Sequence, residues 1–139
     1  MKKIPLGTTD ITLSRMGLGT WAIGGGPAWN GDLDQQICID TILEAHRCGI
    51  NLIDTAPGYN FGNSEVIVGQ ALKKLPREPV VVETKCGIVW ERKGSLFNKV
   101  GDRQLYKNLS PESIREEVEA SLQRLGIDYI DIYMTHWQS

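Results

Sequence analysis

Residues 50–72 read INLIDTAPGYNFGNSEVIVGQAL, and the order of signals within them decides the fold. A short β-rich apolar run, INLID, ends at Asp54, and the loop TAPGYNFGN follows. Ser64 then offers a helix N-cap, and Val66, Ile67, Gln70, Ala71 and Lys74 recur at helical spacing in a segment reaching about Leu75. Pro76 and Pro79 bracket the exit. A strand, a Gly/Pro loop and a helix in that order make one βα unit.

The unit recurs in both directions. Upstream, a run around Arg15 to Gly19 leads through TWAIGGGPAWNGDLD into a helix from about Asp34 to Cys48, with Cys38, Ile42 and Ala45 on one face and Gly49 as its stop. The opening, KIPLGTTDITLS, reads as a small hairpin ahead of the first unit. Downstream, VVVETK (Val80 to Lys85) carries three valines in a row, the habit of a parallel strand buried on both faces. The polar stretch from Cys86 to Asn108 reads as a long loop, a length usually reserved for lids and binding loops. Ser110 and Pro111 open a helix with Ile114, Val118, Ser121, Leu122 and Leu125 on one face and Gly126 at its end, and YIDIYMTH is the last strand.

Four strand-like runs that each lead to a helix or to the chain end form the α/β pattern. A (β/α)8 TIM barrel takes ~250 residues, roughly 30 per unit, so this length supplies about four units. The expectation is that residues 1–139 are the N-terminal half of one barrel domain, with the C-terminal half absent. Such a half barrel would leave two strand edges and an apolar inner face open, which favours self-association.

Composition narrows the function classes. With 15 basic and 17 acidic residues, a net charge of −2 and no Lys/Arg run, the chain has no electrostatic footprint for nucleic acid. No apolar stretch approaches the ~18 residues of a membrane span. MKKIPLGTTD has no apolar segment behind its lysines, so it does not read as a secretory signal, and the expected compartment is cytoplasmic. Cys38, Cys48 and Cys86 lack CxxC spacing and read as free thiols; two histidines without ligand spacing argue against a metal site, and His46 reads as a packing or surface residue. GLGTWA fits a dinucleotide fingerprint formally, but the glycines and Pro27 stand where its helix should begin.

In parallel α/β folds, chemistry gathers at the C-terminal ends of the strands. Asp54, Lys85 and His136 end the second, third and fourth predicted strands, and Gly19, followed by Thr20 and Trp21, ends the first. Singly, each ionisable residue reads as a turn cap, a solvated amine or a packed imidazole; their shared placement points to one rim. Tyr59 lies five residues beyond Asp54, within reach of that rim. A phenol with an ordinary pKa of ~10 is a weak acid at neutrality, and an adjacent ammonium favours its ionisation. Tyr59, Lys85, Asp54 and His136 over one pocket therefore suggest proton donation to a carbonyl oxygen, with the histidine orienting that oxygen. Trp29, Trp90 and Trp137 fall in or beside loops at the same end. Of the tryptophans, Trp21 and Trp90 are expected to touch substrate, with loop anchoring as the alternative.

The segments GLGTWAIGG, INLIDTAPGYNFGNSEVIVGQAL, VVVETKCG and SPESIREEVEASLQRLGIDYIDIYMTHW together resemble the aldo-keto reductase family across essentially the whole chain. The resemblance implies a (β/α)8 barrel that uses NADH or NADPH, NADH being favoured, to reduce small carbonyls such as methylglyoxal. It implies Tyr59 as general acid, Lys85 as the partner that lowers its pKa, Asp54 paired with Lys85, and His136 positioning the carbonyl. Gly19, Thr20, Trp21 and Asp54 would lie along the nicotinamide and its ribose, and substrate would meet Trp21, Tyr59, Trp90 and His136. The family's remaining cofactor contacts would fall beyond Ser139. Two other classes stay open: a non-catalytic cofactor sensor or truncated half barrel needing a partner, and a Schiff-base lyase using Lys85. Asp54 argues against the lyase, because a carboxylate keeps an amine charged and non-nucleophilic.

Overall fold

The computed structural model describes residues 1–137. An N-terminal hairpin pairs β1 (Lys3–Pro5) with β2 (Thr12–Ser14). The main sheet is four parallel strands in the order β3 (Gly17–Gly19), β4 (Leu52–Asp54), β5 (Val81–Cys86) and β9 (Ile132–Thr135). Helices α1 (Gln35–Arg47), α2 (Asn63–Leu72) and α3 (Pro111–Leu125) connect them and supply the helical layer. The apolar core lies between helices and sheet: Cys38, Ile39 and Ile42 of α1, Ile67, Val68, Ala71 and Leu72 of α2, and Leu125 of α3 meet Ile53 and Val82. Each such aliphatic side chain contributes roughly 1.5–3 kcal/mol on full burial. No helix among the described residues is long and apolar enough to cross a membrane.

Local chemistry sets the ends of these elements. Asp34 caps α1 by accepting from the Ile37 N–H at 3.0 Å, and Ser110 caps α3 by accepting from the Ser113 N–H at 3.3 Å. Gly126 ends α3 in the left-handed conformation. Asn51 ties the hairpin to the N-terminal ends of the strands: its Oδ1 accepts from the Ser14 N–H at 2.6 Å, and its Nδ2 donates to the carbonyls of Thr12 and Pro79, each at 2.9 Å.

Four expectations need correction. Ser64 does not cap α2; Gly62 does, and Ser64 is fully buried one residue inside the helix. The α2 stripe is also rotated: Val66 faces solvent while Glu65, Val68 and Gly69 face inward, because the helix packs on both the sheet and α3. On α3, Ser113, Glu117, Ser121 and Leu125 form the most buried row, with Ile114, Val118 and Leu122 half-buried beside it.

The stretch from Cys86 to Asn108 is not a structureless loop. It forms an antiparallel sheet of β6 (Ile88–Val89), β8 (Arg103–Lys107) and β7 (Ser95–Val100), in that order. Val100 pairs with Arg103 across Gly101 and Asp102, a two-residue Gly-Asp turn with Gly101 at φ 61°. Its three strands satisfy one another's backbone groups, which is how a polar segment of this length becomes ordered.

Candidate active site

Register carries the rim residues to one place. Gly19 is the partner of Asp54, Asp54 of Glu83, and Lys85 of Met134, so Asp54, Glu83 and Lys85 share the sheet face opposite the helices. His136 follows β9, its N–H donating to the Cys86 carbonyl at 2.9 Å. Tyr59 arrives from the turn after β4, closed by the Tyr59 N–H on Ala56 O at 3.1 Å and the Gly62 N–H on Pro57 O at 2.7 Å.

The Lys85 ammonium is the hub. Its Nζ donates to Asp54 Oδ1 in a short ion pair, to the Thr55 carbonyl at 2.9 Å and to the Tyr59 hydroxyl at 3.1 Å. Burial pushes the Lys85 amine down, but its bonds to Asp54 and Tyr59 more than offset this and hold it above the ordinary lysine value. The His136 ring meets the Tyr59 ring edge-on, with centroids 5.6 Å apart. Burial first, and then the Lys85 charge, hold the imidazole below its usual value against an opposing pull from Asp54. Its Nδ1 is buried and has no hydrogen-bond partner among the described residues. Glu83 is a second carboxylate in register with Asp54; burial, then the Asp54 charge, push it up while Lys85 opposes them.

The tryptophans divide. Trp21, half exposed, lies 6.3 Å from Tyr59 at a 30° tilt, and Trp29 stands nearly perpendicular to Trp21 at 5.2 Å. Trp90 sits elsewhere, edge-on to Phe61 at 5.5 Å, in a groove with Pro57, Glu117 and Arg124. Trp137 packs near Phe97 at 5.6 Å. The structure thus sets Trp29, rather than Trp90, beside Trp21.

Thr20 is fully buried. Its Oγ1 lies 2.9 Å from the Asp54 carbonyl, to which it donates, and 2.7 Å from Ser64 Oγ, so its hydroxyl is used inside the protein. Ser64 also lies 3.0 Å from Thr55 Oγ1 and donates to the Thr20 carbonyl at 2.9 Å. Its neighbour Glu65, fully buried, accepts from Thr84 Oγ1 and from Arg124 Nε, each at 2.6 Å. The pair Ser64–Glu65 thereby reaches three neighbouring strands: Thr20 and Thr55, just past the ends of β3 and β4, and Thr84 inside β5. Sequence reasoning missed this brace. Its one available signal was the run of polar residues, Asn63, Ser64 and Glu65, that opens a mostly apolar helix.

At the strand ends, then, one lysine bridges an aspartate and a tyrosine, and a histidine stands edge-on to the phenol ring. The match to the Aldo/keto reductase family model over residues 15–139 decides the assignment. The chain belongs to this family. It is 98% identical over 139 residues to the NADH-specific methylglyoxal reductase of Escherichia coli K12, covering all of this chain and 43% of that protein. To an aldo-keto reductase of Bacillus subtilis it is 45% identical, covering 99% of this chain and 38% of that one. A solved glycerol dehydrogenase of Gluconobacter oxydans superposes with a TM-score of 0.79 at 40% identity, over 99% of this chain and 39% of the other. The chain spans less than half the length of these relatives, and its parallel sheet and helices correspond to part of the aldo-keto reductase (β/α)8 barrel.

Proposed function

We propose that the chain supplies the proton-donating half of an NADH-dependent reductase acting on small carbonyls such as methylglyoxal, with residues 1–139 as the N-terminal half of a single barrel domain. The observation that carries this reading is the Lys85 ammonium held between Asp54 and the Tyr59 hydroxyl. The name of the Escherichia coli relative supports the choice of NADH and of the carbonyl.

The residues present fit the nicotinamide end of the cofactor. A Cβ placed on Gly19 would meet only Asp54 Oδ2, at 3.9 Å, so open space lies over the strand end beside the half-exposed Trp21. Gly19 and Trp21 would flank the ring and ribose, Asp54 Oδ2 is open to a ribose hydroxyl, and Thr20 would fix the turn between them from its buried position. When bound, reduced nicotinamide supplies the hydride.

The chain's own residues do the rest. His136, kept neutral, hydrogen-bonds the carbonyl oxygen and orients it towards Tyr59. The Tyr59 hydroxyl gives its proton to that oxygen as negative charge develops there, and the Lys85 ammonium stabilises the phenolate left behind. Asp54 holds Lys85 charged and aimed. A charged Lys85 is not a nucleophile, which weighs against a Schiff-base lyase; borohydride in the presence of substrate is expected to leave Lys85 unmodified by mass spectrometry.

Loss of reduced-nicotinamide absorbance with methylglyoxal, in the protein and in Tyr59→Phe, tests the reading. Tyr59→Phe is expected to lose about 10²–10⁴-fold in turnover while still binding NADH. Retention of most of the turnover would remove Tyr59 from the acid's role.

A further inference from the structure

Proton donation depends on the 3.1 Å between Tyr59 and Lys85, yet the two residues come from different elements: the turn after β4 and strand β5. One buried carboxylate is fastened to both. Glu65 Oε1 accepts from the hydroxyl of Thr84, whose backbone is continuous with Lys85 and whose side chain points to the helix layer while Lys85 points to the rim. Glu65 Oε2 accepts from Arg124 Nε, and the Arg124 side chain lies against Gly62, the last residue of the Tyr59 turn. There φ is +87°, and a Cβ would come within 2.7 Å of Arg124 Cδ. The contact therefore needs both the backbone freedom and the missing side chain of glycine. Glu65 is fully buried while its partner Arg124 keeps 22% of its side chain exposed, and burying a carboxylate in a core position that an apolar residue would fill carries a desolvation cost better explained by what Glu65 positions than by stability.

We propose that Glu65 is a positioning residue for the reaction: acting through Thr84 on one side and Arg124 on the other, it sets the separation between the Tyr59 hydroxyl and the Lys85 ammonium. This rests on the reductase reading above. Thr84, Arg124 and Gly62 are the parts through which it acts, and none of them faces the substrate.

Steady-state kinetics of the full-length, NADH-loaded enzyme on methylglyoxal, with thermal midpoints measured alongside, test it. Thr84→Val keeps the shape of the side chain and removes the donor to Glu65; Thr84→Ser keeps the donor and removes a methyl. Both are expected to lose some thermal stability, one through a lost hydrogen bond and the other through a small cavity. Only Thr84→Val is expected to lose kcat, by about 10-fold to 100-fold with KM within about twofold, and to gain a solvent deuterium isotope effect as proton transfer becomes limiting. Arg124→Lys, which keeps the charge and loses the guanidinium plane, is expected to lower kcat in the same way and serves if the valine variant does not fold. An undiminished kcat in Thr84→Val or in Arg124→Lys, a loss confined to KM, or kcat that follows the thermal midpoint in the serine and valine variants alike would overturn the positioning role. Absence of turnover in the unsubstituted enzyme would instead remove the reductase reading, and the inference with it.

Discussion

Lys85 shows how a single residue's environment becomes a prediction. Its folded value lies above the ordinary 10.5, so its pairing stabilises the fold below that pH and the contribution is lost as pH rises through the raised value. Asp54→Asn is expected to lower the urea unfolding free energy at neutral pH by about 1–3 kcal/mol and to flatten the decline above pH ~10.5. His136 works in the opposite sense. Because the folded value lies below 6.5, the unfolded chain binds more protons beneath that pH, and stability falls as pH drops from about 6.5 through the folded value. His136→Gln should therefore lessen the acid-side slope of the urea midpoint; an unchanged slope would mean that the imidazole does not carry it. Asp54, Lys85 and His136 were legible in the sequence because each stands at or beside a strand end, whereas Glu83, inside β5, was not singled out. Glu65 was not, since its role depends on Thr84 and Arg124, 19 and 59 positions away.

At the scale of elements, the close approach of α2 and α3 is set by Gly69. A Cβ there would lie 2.6 Å from the Leu125 carbonyl and 2.7 Å from that of Arg124. Those are backbone atoms and cannot rotate away, so Gly69→Ala is expected to cost about 1–3 kcal/mol in chemical denaturation, despite alanine's better helix propensity. A gain in stability would show that the helices can separate freely. Capping and periodicity made α1 and α3 readable to within a residue or two, because Asp34, Ser110 and Gly126 act locally. The sheet of β6, β7 and β8 escaped that reading: β7 is exposed along almost its whole length, β6 has only two residues, and β8 buries only Leu105, so period-two alternation is weak, and only Gly101–Asp102 marked the hairpin.

At the scale of the molecule, β3 and β9 form the two edges of the parallel sheet, and Met134 on the inner face is about half exposed. Unpaired parallel edges beside apolar surface recruit further strands. In sedimentation at micromolar concentration the 139-residue chain is accordingly expected to self-associate, and addition of the part of a relative that this chain does not cover is expected to suppress this; a monomer at every concentration would show the edges to be inert. The sequence by itself determined the parallel α/β class, the four strands and the residues at their ends, because strand alternation, caps and Gly/Pro loops act over a few residues. Only the tertiary structure decided that Ser64 and Glu65 tie three neighbouring strands together, that Trp29 rather than Trp90 joins Trp21, and that the segment after Lys85 pairs with itself. Those outcomes depend on helix rotation, strand register and close backbone approach, and each is fixed by partners far apart in the chain.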